Sequence, residues 1–213
     1  MIKISLLKFY LLTFILSISL YSVGNTENEF PLDPAITYGK LENGFTYYIR
    51  ENQTPKDKVS IKLIIKAGSI MEEENQLGLA HLLEHMAFNG SKNFPKRKID
   101  EYMSSIGLNI GSHYNASVGF LKTNYVYEIP TNNDDDVEVA LKILTDISKN
   151  LSLEPEAFER ERKIVEEEWR RDIGGSQDYV NEFHKVLFKN SRLNERKPIG
   201  TLDIIQNFKY QDV

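Results

Sequence analysis

The stretch Leu77-Gly-Leu-Ala-His-Leu-Leu-Glu-His-Met-Ala-Phe88 is apolar on nearly every side. An all-round apolar stretch of helical length predicts a buried helix, and its only polar side chains are His81, Glu84 and His85. Offsets of three and four residues fall on one helical face, so all three point into the same space. Two imidazoles at that spacing can share one metal ion, and a glutamate between them can address a water on it. A pair of satisfied core histidines would be the bland explanation for a lone buried His. Here two of the chain's 4 histidines sit at ligand spacing, which favours the metal.

The rest of the composition narrows the ligand set. The 213-residue chain is 41% hydrophobic, enough for one sizeable core, and its net charge of -5 gives no sign of nucleic-acid binding. It has no cysteine, which excludes a thiolate zinc site, a disulfide frame and a cysteine nucleophile. Any metal must therefore be held by His, Asp or Glu.

At the N-terminus, Lys3 and Lys8 precede an uncharged apolar run from Phe9 to Val23, followed by Gly24 and a polar segment from Asn25. This pattern predicts a signal peptide over residues 1–24, with cleavage near Gly24. The run is shorter than the roughly 20 residues of a full membrane span, so no further membrane association is expected. Residues 25–213 are read as one domain.

Outward from the histidine helix, the Asn43-Gly44 turn leads into an aromatic and β-branched strand at Phe45–Ile49, and Val59–Ile65 alternates as a second strand. A helix is expected over Ile99–Ile106, and strands over Asn109–Val118 and Leu121–Ile129. Thr131–Asp136 reads as an acidic surface turn, and Val137–Ser148 carries a helical apolar stripe. The order of elements predicts an α+β fold, with helices packed on a mainly antiparallel sheet.

Two histidines do not complete a catalytic metal site, so a carboxylate must come from elsewhere. In the helix after Pro155, Ala157, Phe158, Ile164, Val165 and Trp169 form one apolar stripe, and Glu161 and Glu168 lie inside it. Glu159, Lys163, Glu166, Glu167 and Arg170 fall on the opposite side. Seven residues is nearly two turns, so Glu161 and Glu168 share an edge. By geometry alone either one is a ligand, or pairs with an arginine such as Arg162 or Arg171.

Several motifs recur in order: Leu41-Glu-Asn-Gly44, His81-Leu-Leu-Glu-His-Met-Ala-Phe-Asn-Gly90, Asn115-Ala116, Glu159-Arg-Glu-Arg162, Val165-Glu-Glu-Glu-Trp169 and Pro198-Ile-Gly-Thr201. Together they resemble the pitrilysin and insulysin type of zinc metallopeptidases, the inverzincins, and especially bacterial secreted zinc proteases related to processing peptidases. The resemblance implies one zinc ion held by His81, His85 and Glu168, with Glu84 as general base and Glu161 as a supporting catalytic acid. It also implies that a strand edge at Asn115 and Ala116 takes up an extended peptide, with Asn115 orienting substrate. His113 stands where the family more often has an acidic residue, and is either a subsite residue or a surface histidine. Family members complete the site with an arginine and a tyrosine from a homologous C-terminal half. The chain is thus expected to be the first domain of a longer protease, exported to the periplasm or cell envelope and acting on peptides or unfolded polypeptides. The alternative on the same fold is a non-catalytic peptide-binding or partner subunit. Such subunits usually have damaged metal motifs, and this one is intact.

Overall fold

The computed structural model describes residues 31–174 and 176–212; the expected signal peptide at 1–24 lies outside the described residues. The chain divides into two compact units, one ending at Thr54 and one beginning at Pro55. The described part of the first is an antiparallel hairpin of β1 (Ile36–Lys40) and β2 (Thr46–Arg50), with Tyr38 opposite Tyr48. Its turn follows from Asn43-Gly44: Asn43 Oδ1 accepts the Phe45 N–H at 3.0 Å, and Gly44 takes φ 86.

The second unit is built on a three-stranded antiparallel sheet in the order β3-β5-β4, from β3 (Lys58–Ile65), β4 (Tyr114–Val118) and β5 (Thr123–Pro130). Along β5 the residues alternate strictly, burying Thr123, Tyr125, Tyr127 and Ile129. Tyr125, Tyr127 and Ile129 join a core with Ile99 and Met103 of α2 (Lys98–Ser105) and with Ala140, Ile143, Leu144 and Ile147 of α3 (Asp134–Lys149). The α+β expectation and the antiparallel sheet are both found.

Two boundaries differ from the sequence reading by three residues or more. β4 begins at Tyr114 rather than Asn109, because Gly111 at φ 85 turns the chain and ties back to Tyr114 O at 2.8 Å. Asp134, Asp135 and Asp136 are the first turn of α3 rather than a surface turn, where their charge complements the helix dipole. Asn133 caps that turn, its side chain accepting the Asp135 N–H at 3.2 Å. Asp136 is buried and accepts from the Tyr102 hydroxyl at 2.6 Å.

α1 (Leu79–Met86) lies between this core and a second one. Leu79, Leu82 and Met86 pack with Ala157, Phe158 and Val165 of α4 (Pro155–Arg171) and with Ile205 of α6 (Leu202–Asn207). An eight-residue helix is marginal alone and needs such support. Its start is held by a carboxylate of the preceding loop: the buried Glu72 accepts the Gly78 N–H at 3.0 Å and the Ala80 N–H at 2.9 Å. Gly78 (φ 97) and Gly200 (φ 75) let two backbones touch there; a Cβ on Gly200 would come within 2.3 Å of Leu77 O. The close approach accounts for the Pro198-Ile-Gly-Thr motif. Beyond α1, the buried Asp146 holds the next loop, accepting from Ser91 Oγ at 2.7 Å and from the Asn93 N–H at 2.8 Å. Between α4 and α6 runs α5 (Ser176–Leu187). Among the described residues no helix is long and apolar enough to cross a membrane.

Candidate metal centre

α1 presents His81, Glu84 and His85 to one side, and one ligand atom from each lies within 4.8 Å of the others. The two imidazoles meet edge to face, with centroids 4.8 Å apart at 87°. α4 brings its two carboxylates to opposite sides of the His85 ring. Glu168 Oε2 stands 3.4 Å from His85 Nε2 and 3.7 Å from His81 Nε2, so both ring nitrogens face one carboxylate oxygen. Glu161 Oε2 sits 3.3 Å from His85 Nδ1. Glu84 Oε2 lies 3.8 Å from His81 Nε2.

The pairing with arginine that the sequence left open occurs on the outer oxygens. Arg171 stands 3.7 Å from Glu168 Oε1, and Arg160 stands 3.8 Å from Glu161 Oε1. In both carboxylates the inner oxygen, Oε2, is turned to the histidines. Arg162 goes elsewhere, pairing with Glu159 and donating to the carbonyls of Gln206 and Phe208 at 2.9 and 3.1 Å.

The electrostatics favour a cation. Burial, and then the neighbouring His85, pull the His81 pKa down to about 4, leaving a neutral ring with a free lone pair; its Nδ1 is buried without a hydrogen-bond partner. Burial pushes the Glu84 carboxyl up, with Glu168 adding to this against the pull of His85. At His85 burial opposes the charged ring, but the Glu161 hydrogen bond and the charges of Glu168 and Glu84 outweigh it and raise the pKa. At Glu161 burial is likewise outweighed, by hydrogen bonds to His85 and Asn89, and the carboxyl is held low. Three carboxylates thus surround two imidazoles in a half-buried space, an excess of negative charge that a divalent cation would balance. Ligands of a tetrahedral zinc at about 2.0–2.1 Å sit about 3.3 Å from one another, close to the spacings from Glu168 Oε2 to the two Nε2 atoms. The donor set fits zinc.

β4 is an edge strand, and its exposed Asn115, with Ala116, lines a cleft shared with His81, Glu84 and His85. His113 is absent from that lining: its Nδ1 accepts the Asn109 N–H at 3.1 Å and its carbonyl accepts from Glu128 N at 2.7 Å, so it braces the loop before β4. Ile164, expected in the apolar stripe, is instead 41% exposed and lines the cleft. Asn89 entered the sequence reading only as part of the His81–Gly90 motif, with no role of its own. It donates to His85 O at 3.1 Å and accepts from Arg160 at 2.7 Å, joining the end of α1 to α4. An asparagine just past a helix end is the signal that could have marked it.

The family model described as Insulinase (Peptidase family M16) matches residues 47–195. The chain is 37% identical over 186 residues to the probable zinc protease PqqL of Haemophilus influenzae, covering 87% of this chain and 20% of the relative. It is 34% identical over 175 residues to the probable zinc protease PqqL of Escherichia coli, covering 82% of this chain and 19% of the relative. Among solved structures, the crystal structure of the periplasmic protease PqqL from Escherichia coli superposes with a TM-score of 0.82 at 33% identity, over 85% of this chain and 20% of that one. The chain therefore spans about a fifth of the length of these relatives. With a family match across most of its length, on a fold that brings the inverted His-x-x-Glu-His helix against a paired glutamate helix, the chain belongs to the insulinase family of peptidases, Peptidase family M16.

Proposed function

We propose that this chain carries the active centre of a zinc metalloendopeptidase, with His81, His85 and Glu168 holding one zinc ion and Glu84 as the general base. The observation that carries the reading is the convergence of both imidazole Nε2 atoms on Glu168 Oε2, with the Glu84 carboxyl beside them. When bound, zinc supplies a Lewis acid that polarises a peptide carbonyl and acidifies a water. Glu84 takes a proton from the attacking water at a carboxylate oxygen and returns it to the leaving amine; its upward-pushed pKa suits both steps. Glu161 accepts from His85 Nδ1, fixing the tautomer that leaves the Nε2 lone pair facing Glu168. The free edge of β4 receives an extended peptide through main-chain hydrogen bonds, and Asn115 orients it.

The activity belongs to a longer protein, in which a homologous second half or partner subunit completes the site; the fivefold greater length of the relatives supports this. The isolated chain binds zinc with little or no turnover. Export is supported by the Lys3 to Gly24 pattern and by the periplasmic location stated for the Escherichia coli structure.

The reading is tested on the longer protein by zinc content and peptide cleavage together. Glu84→Gln should retain zinc and lose about 10²- to 10⁴-fold in turnover. Glu168→Gln should weaken zinc binding at least tenfold, whereas Glu167→Gln should leave it unchanged. Metal loss in Glu84→Gln, or equal zinc affinities in the Glu167 and Glu168 variants, would overturn the assignment.

A further inference from the structure

The cleft does not end at the zinc centre. A space of about 1080 Å³ runs from His81, Glu84 and Glu168 past Ala116, Ser117 and Val118 of β4 to a far end where Phe120, α5 and the segment before α6 meet. At that end stands Lys197, half-buried, whose ammonium donates to Asn181 Oδ1 at 2.7 Å. That partner is neutral, and among the described residues no carboxylate pairs with Lys197.

The acids near Asn181 and Lys197 in the chain are engaged elsewhere, while Asp172 lines another part of the same space. Glu182 pairs with Lys185 at 2.5 Å, Glu195 faces Arg196 at 4.0 Å, and Asp178 accepts the Gly174 N–H at 3.3 Å. The adjoining wall is aromatic: His184 lies 6.4 Å from Phe120 and 5.3 Å from Phe188, centroid to centroid. Burial, with the charge of Lys185 added, pulls the Lys197 pKa down against Glu182. A partly desolvated cation bonded only to a neutral amide gains most from a carboxylate, in a charge-assisted hydrogen bond strengthened by the low local dielectric.

We propose that the far end of the cleft is a subsite for a carboxylate carried by the bound peptide, and that Lys197 is the specificity-determining residue that selects it. The proposal rests on the reading of the cleft as a peptide site. An extended peptide advances about 3.3 Å per residue, so the three steps from Asn115 to Val118 cover about 10 Å. The selected carboxylate therefore sits within a few residues of the scissile bond, along the stretch of peptide that β4 lines. It is either an acidic side chain or the C-terminal carboxylate of a short peptide.

The test is fluorescence anisotropy on the zinc-loaded full chain carrying Glu84→Gln, so that no peptide is consumed. The probes are labelled ten-residue peptides, neutral except for one glutamate moved along the sequence, each with a glutamine twin and with a free or amidated C-terminus. At one position glutamate should bind about tenfold tighter than glutamine. Lys197→Gln should erase that difference and Lys197→Arg should keep most of it. A preference that follows the free terminus instead of the glutamate assigns the subsite to the C-terminal carboxylate. In the parent protein the preference should shrink as salt is raised, a readout independent of whether the variants fold. Peptides that bind without preferring the acid, or a preference that survives in a folded Lys197→Gln protein, would overturn the subsite alone. Absence of binding by every peptide would overturn the peptide-cleft reading and the subsite with it.

Discussion

His85 is held on both ring nitrogens by carboxylates, and this makes its proton a competitor for metal. Its raised pKa keeps the metal-free ring charged above the ordinary 6.5, so a cation must displace that proton. Zinc affinity should then be level above the raised pKa and fall as pH drops through it. Glu161→Gln removes the hydrogen bond that leads the raising influences, so the fall should begin at lower pH, while affinity at about pH 8 drops roughly tenfold. Zinc titration against a chromophoric chelator across this range would show both effects. An onset of the fall unchanged from the parent would mean that Glu161 does not govern His85. At this scale the sequence was informative: the three-and-four spacing of His81, Glu84 and His85, and the inward angle of Glu161 and Glu168, are local properties of two helices. The division of labour between the two glutamates was not among them, since each is an equally inward carboxylate until the His85 ring comes between them.

α1 shows what an eight-residue element requires in order to carry three ionisable groups. The Glu72 carboxylate takes its first N–H groups, Gly200 lies against Gly78, and Asn89 closes its far end. Arg196 fastens the cap, donating from Nε to Glu72 O at 2.9 Å while itself only 3% exposed. Gly200→Ala would force a Cβ onto Leu77 O and place a side chain at positive φ, costing about 2–4 kcal/mol in urea unfolding. Zinc affinity should fall with it, because Leu77 and Gly78 lead directly into the helix. A change within about 0.5 kcal/mol would show that the contact relaxes freely. The Pro198-Ile-Gly-Thr motif was recognisable in the sequence, but its purpose was not: the closest neighbour of Gly200, Leu77, is 123 residues away (200 − 77). Glu72 carries no helix-capping pattern in the sequence, because its carboxylate reaches the helix start only once the loop between them has folded back.

Across the whole second unit, α1 is wedged between the sheet core and the α4–α6 layer, so a metal shared by α1 and α4 would be a cross-link between two packed elements. Zinc at a hundredfold excess over its dissociation constant should stabilise the fold by about 2.7 kcal/mol. For a chain of this size that corresponds to a rise of roughly 5–10 °C in Tm. Chelation should reverse the rise and Glu168→Gln should remove it; an equal rise in that variant would place the metal elsewhere. The sequence by itself determined the α+β class, the turn at Asn43-Gly44, the histidine helix and the glutamate stripe, because turn chemistry and the 2.0 and 3.6 periodicities are written in near neighbours. Tertiary structure alone decided which carboxylate meets Nε2 and which meets Nδ1. It also decided that His113 braces a loop, that Ile164 faces the cleft, and that Lys197 stands at its far end. Those outcomes depend on where α4 crosses α1 and where the segment before α6 returns. Long-range packing of Leu82 and Met86 against Phe158 and Val165 sets that crossing, and no local pattern encodes it.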